Sequence, residues 1–370
     1  MPDPSSHSNL RGQPKPTSSV GMIIREREPV NFEFPFHQLQ SFLTPNDLFY
    51  IRSHFKAPTL DKDSYELRID GALKTPLVLS YGELRKLPAE TRAATLECAG
   101  NSRVFLVPQV EGAQWELGAV GNAEWTGVPL RVLLEQAGLA DDAMEIVFEG
   151  ADRGKAKERP APPQPISYAR SLQRSKALAP EVLVAYQMNG RDLPLDHGYP
   201  VRLIVPGHYG MASVKWLIRI SAIREAFQGY WQTSDYAFWD ELDGTPIRRP
   251  LSEMKLKSQI ARPSMYEVVR AGEPYTVFGA AWCGSADVTE IEVSTDDGES
   301  WTAAEFLDAA NSFAWRRWQM VWQVPQRVGR YRLMARAKNA DGCSQPAAHD
   351  PSYGTYVIDH LLPIEVFVGS

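Results

Sequence analysis

The chain has 370 residues, enough for two or three domains at about 150 residues each, and 44% apolar with 23% charged residues is the composition of a packed globular protein, which excludes disorder of the whole. Its 39 Lys and Arg against 45 Asp and Glu leave a formal charge of -6, so no global positive field exists to hold nucleic acid or an anionic membrane, although a basic pocket is still allowed. Cys98, Cys283 and Cys343 are few and widely separated, which fits a reduced compartment better than a disulfide framework.

Residues 1–25 read as a disordered tail. Met1 to Val20 holds four prolines and five serines, with neither an apolar export core nor an arginine pair. A cytoplasmic protein is therefore expected, or a periplasmic one if a leader has been trimmed. No apolar run approaches the roughly 18 residues that cross a bilayer.

Residues 26–249 mix strand and helix signals without regular alternation, an α+β pattern. Tyr65 to Ile69 alternates, and Ser80 with Glu83 forms a capping box that opens a short helix to Leu87, stopped by Pro88. Pro129 suits a first helical position; Leu130, Leu133, Leu134 and Ala137 share one face before Gly138 ends the helix. Gly154 to Pro165, with four prolines and mixed charge, reads as a long loop. Glu181 to Gln187 is a buried strand, Asn189-Gly190 a tight turn, and Val201 to Val205 a strand between prolines.

The grammar changes near Arg249-Pro250. Ile291 and Val293 alternate with polar residues, Asp297-Gly298 supplies a turn, and Trp301 begins the return strand. Tyr331, Leu333, Ala335 and Ala337 alternate again, so residues 250–370 are expected to form an immunoglobulin-like sandwich. Five tryptophans, Trp282, Trp301, Trp315, Trp318 and Trp322, crowd this small domain, which suggests that some face a partner subunit.

The sequence contains no glycine-rich dinucleotide or phosphate loop, no H-E-x-x-H, no C-x-x-C and no G-x-S-x-G. What stands out is Leu96-Glu97-Cys98-Ala99-Gly100-Asn101-Ser102-Arg103, a lone cysteine leaving an apolar strand into a turn. Most such cysteines are small buried hydrophobes. A thiolate beside turn amides and Arg103 would instead suit a nucleophile or a soft-metal ligand.

This segment resembles the C-A-G-N-R-R signature of the sulfite oxidase family of molybdenum enzymes, which includes assimilatory nitrate reductases. Phe49-Tyr50-Ile51-Arg52-Ser53-His54 is similar to the family's F-x-x-R-N-H, and Leu183 to Trp216 follows its A-Y-x-M-N-G, D-H-G-x-P-V-R and V-P-G to V-K-W elements. Tyr230-Trp231-Gln232 with Asp235-Tyr236 resembles W-Q-x-x-D-Y. The resemblance implies a molybdopterin-binding catalytic domain followed by a dimerisation domain, with Cys98 as the protein ligand to molybdenum. It implies that His54, Asp152, His197, Arg202 and Lys215 bind the pyranopterin and its phosphate. Arg52, Arg103, Trp115 and Tyr236 would surround a small oxyanion, whose electrons pass to an external acceptor such as a cytochrome. A homodimer, with no nucleic acid or membrane partner, is expected.

The pattern departs from the family at Ser102 and Ser53, which replace a motif arginine and asparagine, and at Glu111, where a basic residue usually precedes Trp115. No arginine follows Arg336, so the family's C-terminal arginine is missing; Tyr353-Gly354-Thr355-Tyr356 stands near its place, and His208 is a candidate substitute cation. Sulfite oxidation is the leading expectation, with oxidation of a sulfane group second and nitrate reduction third. Outside the family stand a cysteine-nucleophile hydrolase and a non-enzymatic β-sandwich interaction protein.

Overall fold

The structure, a computed structural model, describes residues 14, 17–157 and 161–370. It is mostly β. The longest helix, Leu130–Ala137, buries Leu130, Leu133, Leu134 and Ala137 and stops at Gly138, whose φ of 70° places it in the left-handed region. Pro129 is its N-cap rather than its first residue. The capping box forms as expected: Ser80 Oγ accepts from the Glu83 amide while the Glu83 carboxylate accepts from the Ser80 amide, and the helix they open spans Tyr81–Leu84.

Two five-stranded sheets build most of the first part of the chain, beside two-stranded pairs. One orders Leu77–Ser80, Glu66–Gly71, Leu217–Ile223, Glu145–Gly154 and Ile166–Gln173. The other joins Glu90–Glu97, Val120–Pro129, Leu183–Met188 and Arg191–Asp192, with Arg202–Ile204 added to Leu183–Met188. Asn189 and Gly190, at φ 51° and 72°, turn the tight hairpin after Leu183–Met188. The proline-rich stretch falls between Glu145–Gly154 and Ile166–Gln173, and residues 158–160 within it lie outside the described residues.

Of the expected tail, residues 1–13, 15 and 16 lie outside the described residues. The rest is engaged with the body. The Thr17 amide donates to Asp196 Oδ2 at 2.7 Å, and Ile23–Glu26 pairs with Asn31–Glu33. The tail's composition hid Met22, which is buried against Phe32 and Ile51, while Ile24 in the strand that follows stays exposed.

The C-terminal part is a sandwich of a four-stranded sheet (Lys257–Arg262, Pro274–Trp282, Arg316–Gln323, Glu305–Phe306) and a five-stranded one (Val268–Arg270, Ile364–Gly369, Gly329–Asn339, Val288–Ser294, Thr302–Ala303). Asp297 and Gly298 turn between the last two strands at φ 61° and 90°. The tryptophan expectation fails here: Trp282, Trp315, Trp318 and Trp322 are buried, and Trp301 lies under the Arg336 guanidinium. The sandwich and its contact with the first part have room for all of these rings. Among the exposed apolar residues, which also include Leu307, Val321 and Val328, Tyr266, Val268 and Phe367 stand together across the edge pair of the five-stranded sheet.

Candidate functional site

Strand Glu90–Glu97 delivers Cys98 to a turn. The Cys98 amide still donates to Ala119 O, and then Asn101 N–H donates to Cys98 O and Arg103 N–H to Gly100 O. Ser102 takes φ 75°, a left-handed conformation that costs a residue with a side chain of order 1 kcal/mol unless its surroundings fix it. The turn encloses Arg103. A Cβ on Gly100 would stand 2.2 Å from Arg103 Nη2, and one on Gly112 2.7 Å from Nη1, so both glycines are needed for the guanidinium to lie flat between them. Arg103 Nε donates to Thr355 O at 3.0 Å and Nη1 to Ala113 O at 2.8 Å. Burial raises the Cys98 thiol above its ordinary value, opposed by the Arg103 and Arg52 charges. A thiol held this way ionises when a cation takes the proton's place.

Cys98 stands between two chambers. The inner cavity is lined by the run from Phe49 to His54, Cys98, Asp152, Tyr168, His197, Arg202, Lys215 and Tyr236. Its charge is unbalanced. Arg202 Nη1 and Nη2 donate to the carbonyls of His197 (2.8 Å) and Ser213 (3.0 Å), and Lys215 Nζ donates to Ser53 Oγ (2.7 Å) and Asp196 O (2.8 Å). Neither forms an ion pair among the described residues. Burial pulls Arg202 down to about 10, and burial with the Arg202 charge pulls Lys215 below its ordinary value. Burial also lowers His197 to about 3 and raises Asp152. His197 Nε2 and Asp152 Oδ1 are buried and have no hydrogen-bond partner among the described residues. Buried polar groups without partners, among cations without anions, fit an anionic heterocyclic ligand that brings both. With a thiol donor at the chamber's mouth, the residues present fit a molybdenum–pyranopterin phosphate.

The outer cleft shares Arg52, His54, Cys98 and Tyr236 with the inner cavity and adds Arg103, Glu111, Asp235 and Tyr356. A short relay crosses the common wall. Arg52 Nη2 lies 3.1 Å from His54 Nδ1, and His54 Nε2 lies 2.7 Å from Tyr236 Oη. Arginine only donates, so His54 Nδ1 accepts and the imidazole proton sits on Nε2. Burial, then Arg52 and Lys215, hold the His54 pKa well below its ordinary value, so the ring stays neutral. His54 therefore donates to Tyr236, which leaves the phenolic proton for an acceptor in the cleft. Burial raises the Tyr236 pKa well above 10, so that proton is retained.

The structure thus gathers nine of the ten expected site residues around the two chambers. Trp115 is the exception: it is fully buried beside Phe49, Tyr50 and Cys98 and lines neither chamber. Its ring belongs to the buried cluster that includes Cys98, and its indole Nε1 has no hydrogen-bond partner among the described residues. His208 is also elsewhere: it lines neither chamber, its backbone pairs with that of Glu253, and burial lowers its pKa to about 4, so it supplies no cation to the cleft. Tyr356 does lie in the cleft, its ring 5.2 Å from the Arg103 guanidinium and its hydroxyl 3.1 Å from Asp235 Oδ1. Sequence reading missed Tyr168, stacked on His54, and Arg170, whose buried guanidinium holds the carbonyls of Trp231 and Leu251 beneath Tyr236. Neither sits in a motif that would have drawn attention to it.

The family model described as "Oxidoreductase molybdopterin binding domain" matches residues 54–231, and "Mo-co oxidoreductase dimerisation domain" matches residues 248–353. Sulfite oxidase of Gallus gallus is 36% identical over 334 residues, covering 85% of this chain and 70% of the relative. Mitochondrial sulfite oxidase of Mus musculus is 35% identical over 350 residues, and the match covers 90% of this chain but 62% of the mouse protein. The sulfane dehydrogenase SoxCD of Paracoccus pantotrophus superposes with a TM-score of 0.82 at 28% identity, covering 99% of this chain and 93% of the other.

Proposed function

The chain belongs to the sulfite oxidase family of molybdopterin-dependent oxidoreductases, and from that premise we propose that it oxidises sulfite to sulfate and passes the electrons to a separate acceptor such as a cytochrome. Water supplies the added oxygen, and two protons and two electrons leave. The observation that carries this reading is the common wall: Cys98, Arg52, His54 and Tyr236 border both a cavity suited to a phosphorylated heterocycle and an open cleft suited to an oxyanion.

Molybdenum and its pyranopterin, when bound, supply two-electron oxygen-atom transfer chemistry, and the soft Cys98 thiolate is matched to such a metal. Arg202 and Lys215 would hold the phosphate, while His197 Nε2 and Asp152 Oδ1 would meet polar edges of the ring system. Arg103, anchored by two backbone carbonyls, and Arg52 would orient the sulfur oxyanion. Tyr236 would donate its hydroxyl proton toward the reacting oxygen, aimed by the neutral His54. The matched dimerisation domain supports a homodimer, with the exposed Tyr266, Val268 and Phe367 as its apolar contact.

A second reading, oxidation of a sulfane group, is favoured by Tyr356. It faces Arg103 with an uncharged ring, so no third guanidinium stands beside Arg52 and Arg103 at that position to hold a dianion. Protein from a host that makes the pterin cofactor should carry about one molybdenum per chain by mass spectrometry and turn over sulfite with ferricyanide. Cys98→Ser should lose both, because a hydroxyl is too hard and too weakly acidic to replace the thiolate. Full metal and full activity in that variant would overturn the assignment.

A further inference from the structure

The turn that presents Cys98 and Arg103 is gripped from outside its own domain. Lys257, on the first strand of the sandwich, extends its ammonium group to Glu97 Oε1 at 3.0 Å, Ser102 Oγ at 3.1 Å and Asn101 O at 3.4 Å. Its three N–H donors are thereby all used on one turn, on both sides of Cys98. The surrounding polar atoms close the set. Trp282 Nε1 donates to Glu97 Oε2 at 2.9 Å, and Asn101 Nδ2 donates to Glu97 Oε1 and to Gln259 Oε1, each at 3.0 Å. Ser102 Oγ donates to Gln259 Oε1 at 3.2 Å, and Gln259 Nε2 donates to Leu117 O at 2.8 Å.

Glu97, Asn101, Ser102, Lys257, Gln259 and Trp282 are each 2% exposed or less. A fully buried ion pair is a poor way to stabilise a fold, since well-packed apolar residues do at least as well. Its retention here coincides with a backbone strain in the same turn: Ser102 holds φ 75° while its hydroxyl is fixed by Lys257 and Gln259. Asn101 Oδ1 also accepts from the Ala119 amide at 3.0 Å, next to the bond from Cys98 N–H to Ala119 O, so the clamp reaches both ends of the cysteine's own turn.

The geometry points to Lys257 as a positioning residue: from the second domain it fixes the turn that aims Cys98 and Arg103 at the two chambers. The sandwich is then part of the site's construction as well as a contact surface for a second subunit. The consequence for the loaded enzyme rests on Cys98 being the metal ligand; the clamp itself does not.

The test uses the thiols as reporters. Cofactor-free protein is treated with iodoacetamide, and alkylation of Cys98, Cys283 and Cys343 is followed by peptide mass spectrometry. Lys257→Met should quicken Cys98 at least about fivefold and leave the two sandwich cysteines within about twofold, as local opening does. Lys257→Met with Glu97→Gln should remain equally fast, because the bonds to Ser102 and Asn101 stay lost even though no buried charge is left unpaired. Ser102→Ala, which keeps the ion pair, should show a smaller rise in the same direction, and it carries the test if the lysine variants do not fold. In loaded protein the Mo(V) electron paramagnetic resonance signal should shift in Lys257→Met. An unchanged Cys98 rate, a parallel rise of Cys283, or recovery in the double variant would each overturn the inference. Absence of molybdenum from the wild-type protein would instead sink the functional reading and leave the clamp standing.

Discussion

Arg103→Lys keeps the charge and removes the geometry, so it separates what the guanidinium does from what a positive charge does. Arg103 commits Nε to Thr355 O and one Nη1 proton to Ala113 O, which fixes its plane and leaves three of its five N–H groups for the cleft. A lysine ammonium cannot hold both carbonyls and a substrate oxygen at once, and the slot between Gly100 and Gly112 is shaped for a flat group. Losing one charged hydrogen bond in a partly desolvated site costs about 1.5 to 3 kcal/mol, or roughly 10- to 150-fold in kcat/KM. The loss should fall mainly on KM, because the interaction is made as the oxyanion binds. Arg103→Gln removes the charge as well and should be worse, by up to about tenfold more. The assay is sulfite oxidation with ferricyanide, normalised to molybdenum content, at low and high ionic strength. Screening should weaken sulfite binding in the wild-type protein and matter less in Arg103→Gln. Wild-type kcat/KM in Arg103→Lys at unchanged metal content would refute the proposed binding mode.

The cofactor-free protein should lose stability on acidification. His197 has its folded pKa lowered to about 3 by burial, so between an unfolded value near 6.5 and that point the unfolded chain binds the extra proton and stability falls with pH. By pH 5 the His197 contribution is about 2 kcal/mol; chemical denaturation of wild type and His197→Gln at pH 7 and pH 5 measures it, and an equal pH slope in the two proteins would exclude His197 as the source. At the sandwich edge, Phe367→Glu should convert a dimer to a monomer in light scattering at micromolar concentration, with Cys98 and the cleft untouched; a persisting dimer would move the contact off this face.

Local chemistry was readable in advance and distant partnership was not. Ser80 with Glu83, Leu130 to Gly138 and Asn189-Gly190 announce themselves because their hydrogen bonds close within a few residues. Motif order likewise anticipated that Arg52, His54, Cys98, Arg202 and Lys215 would meet. The anchors of Arg103 could not be read this way: Thr355 lies 252 residues away and contributes a backbone carbonyl, which any residue type would offer. Lys257 and Glu97, 160 residues apart, look like ordinary strand charges until both prove buried. The aromatic residues misled for a related reason. The sandwich tryptophans have the composition of a partner-facing surface, and whether such a ring faces a partner or the core depends on strand facing and domain contact rather than on its neighbours in the chain.

The charge pattern joins these observations. A chain with a formal charge of -6 places the buried Arg202 and His197 beside the half-buried Lys215, without an ion-paired acid among the described residues, and desolvation weakens the charged form of each. Nothing in folding alone favours this, since apolar residues of similar volume would cost less. At Lys257, in the clamp on the cysteine turn, the buried charge instead meets Glu97 and every donor is closed. The contrast between a lysine with a complete set of partners and a cavity of cations without one is therefore informative by itself. The first belongs to the frame, and the second is complete only with an anion bound, which couples the stability of the catalytic domain to its cofactor.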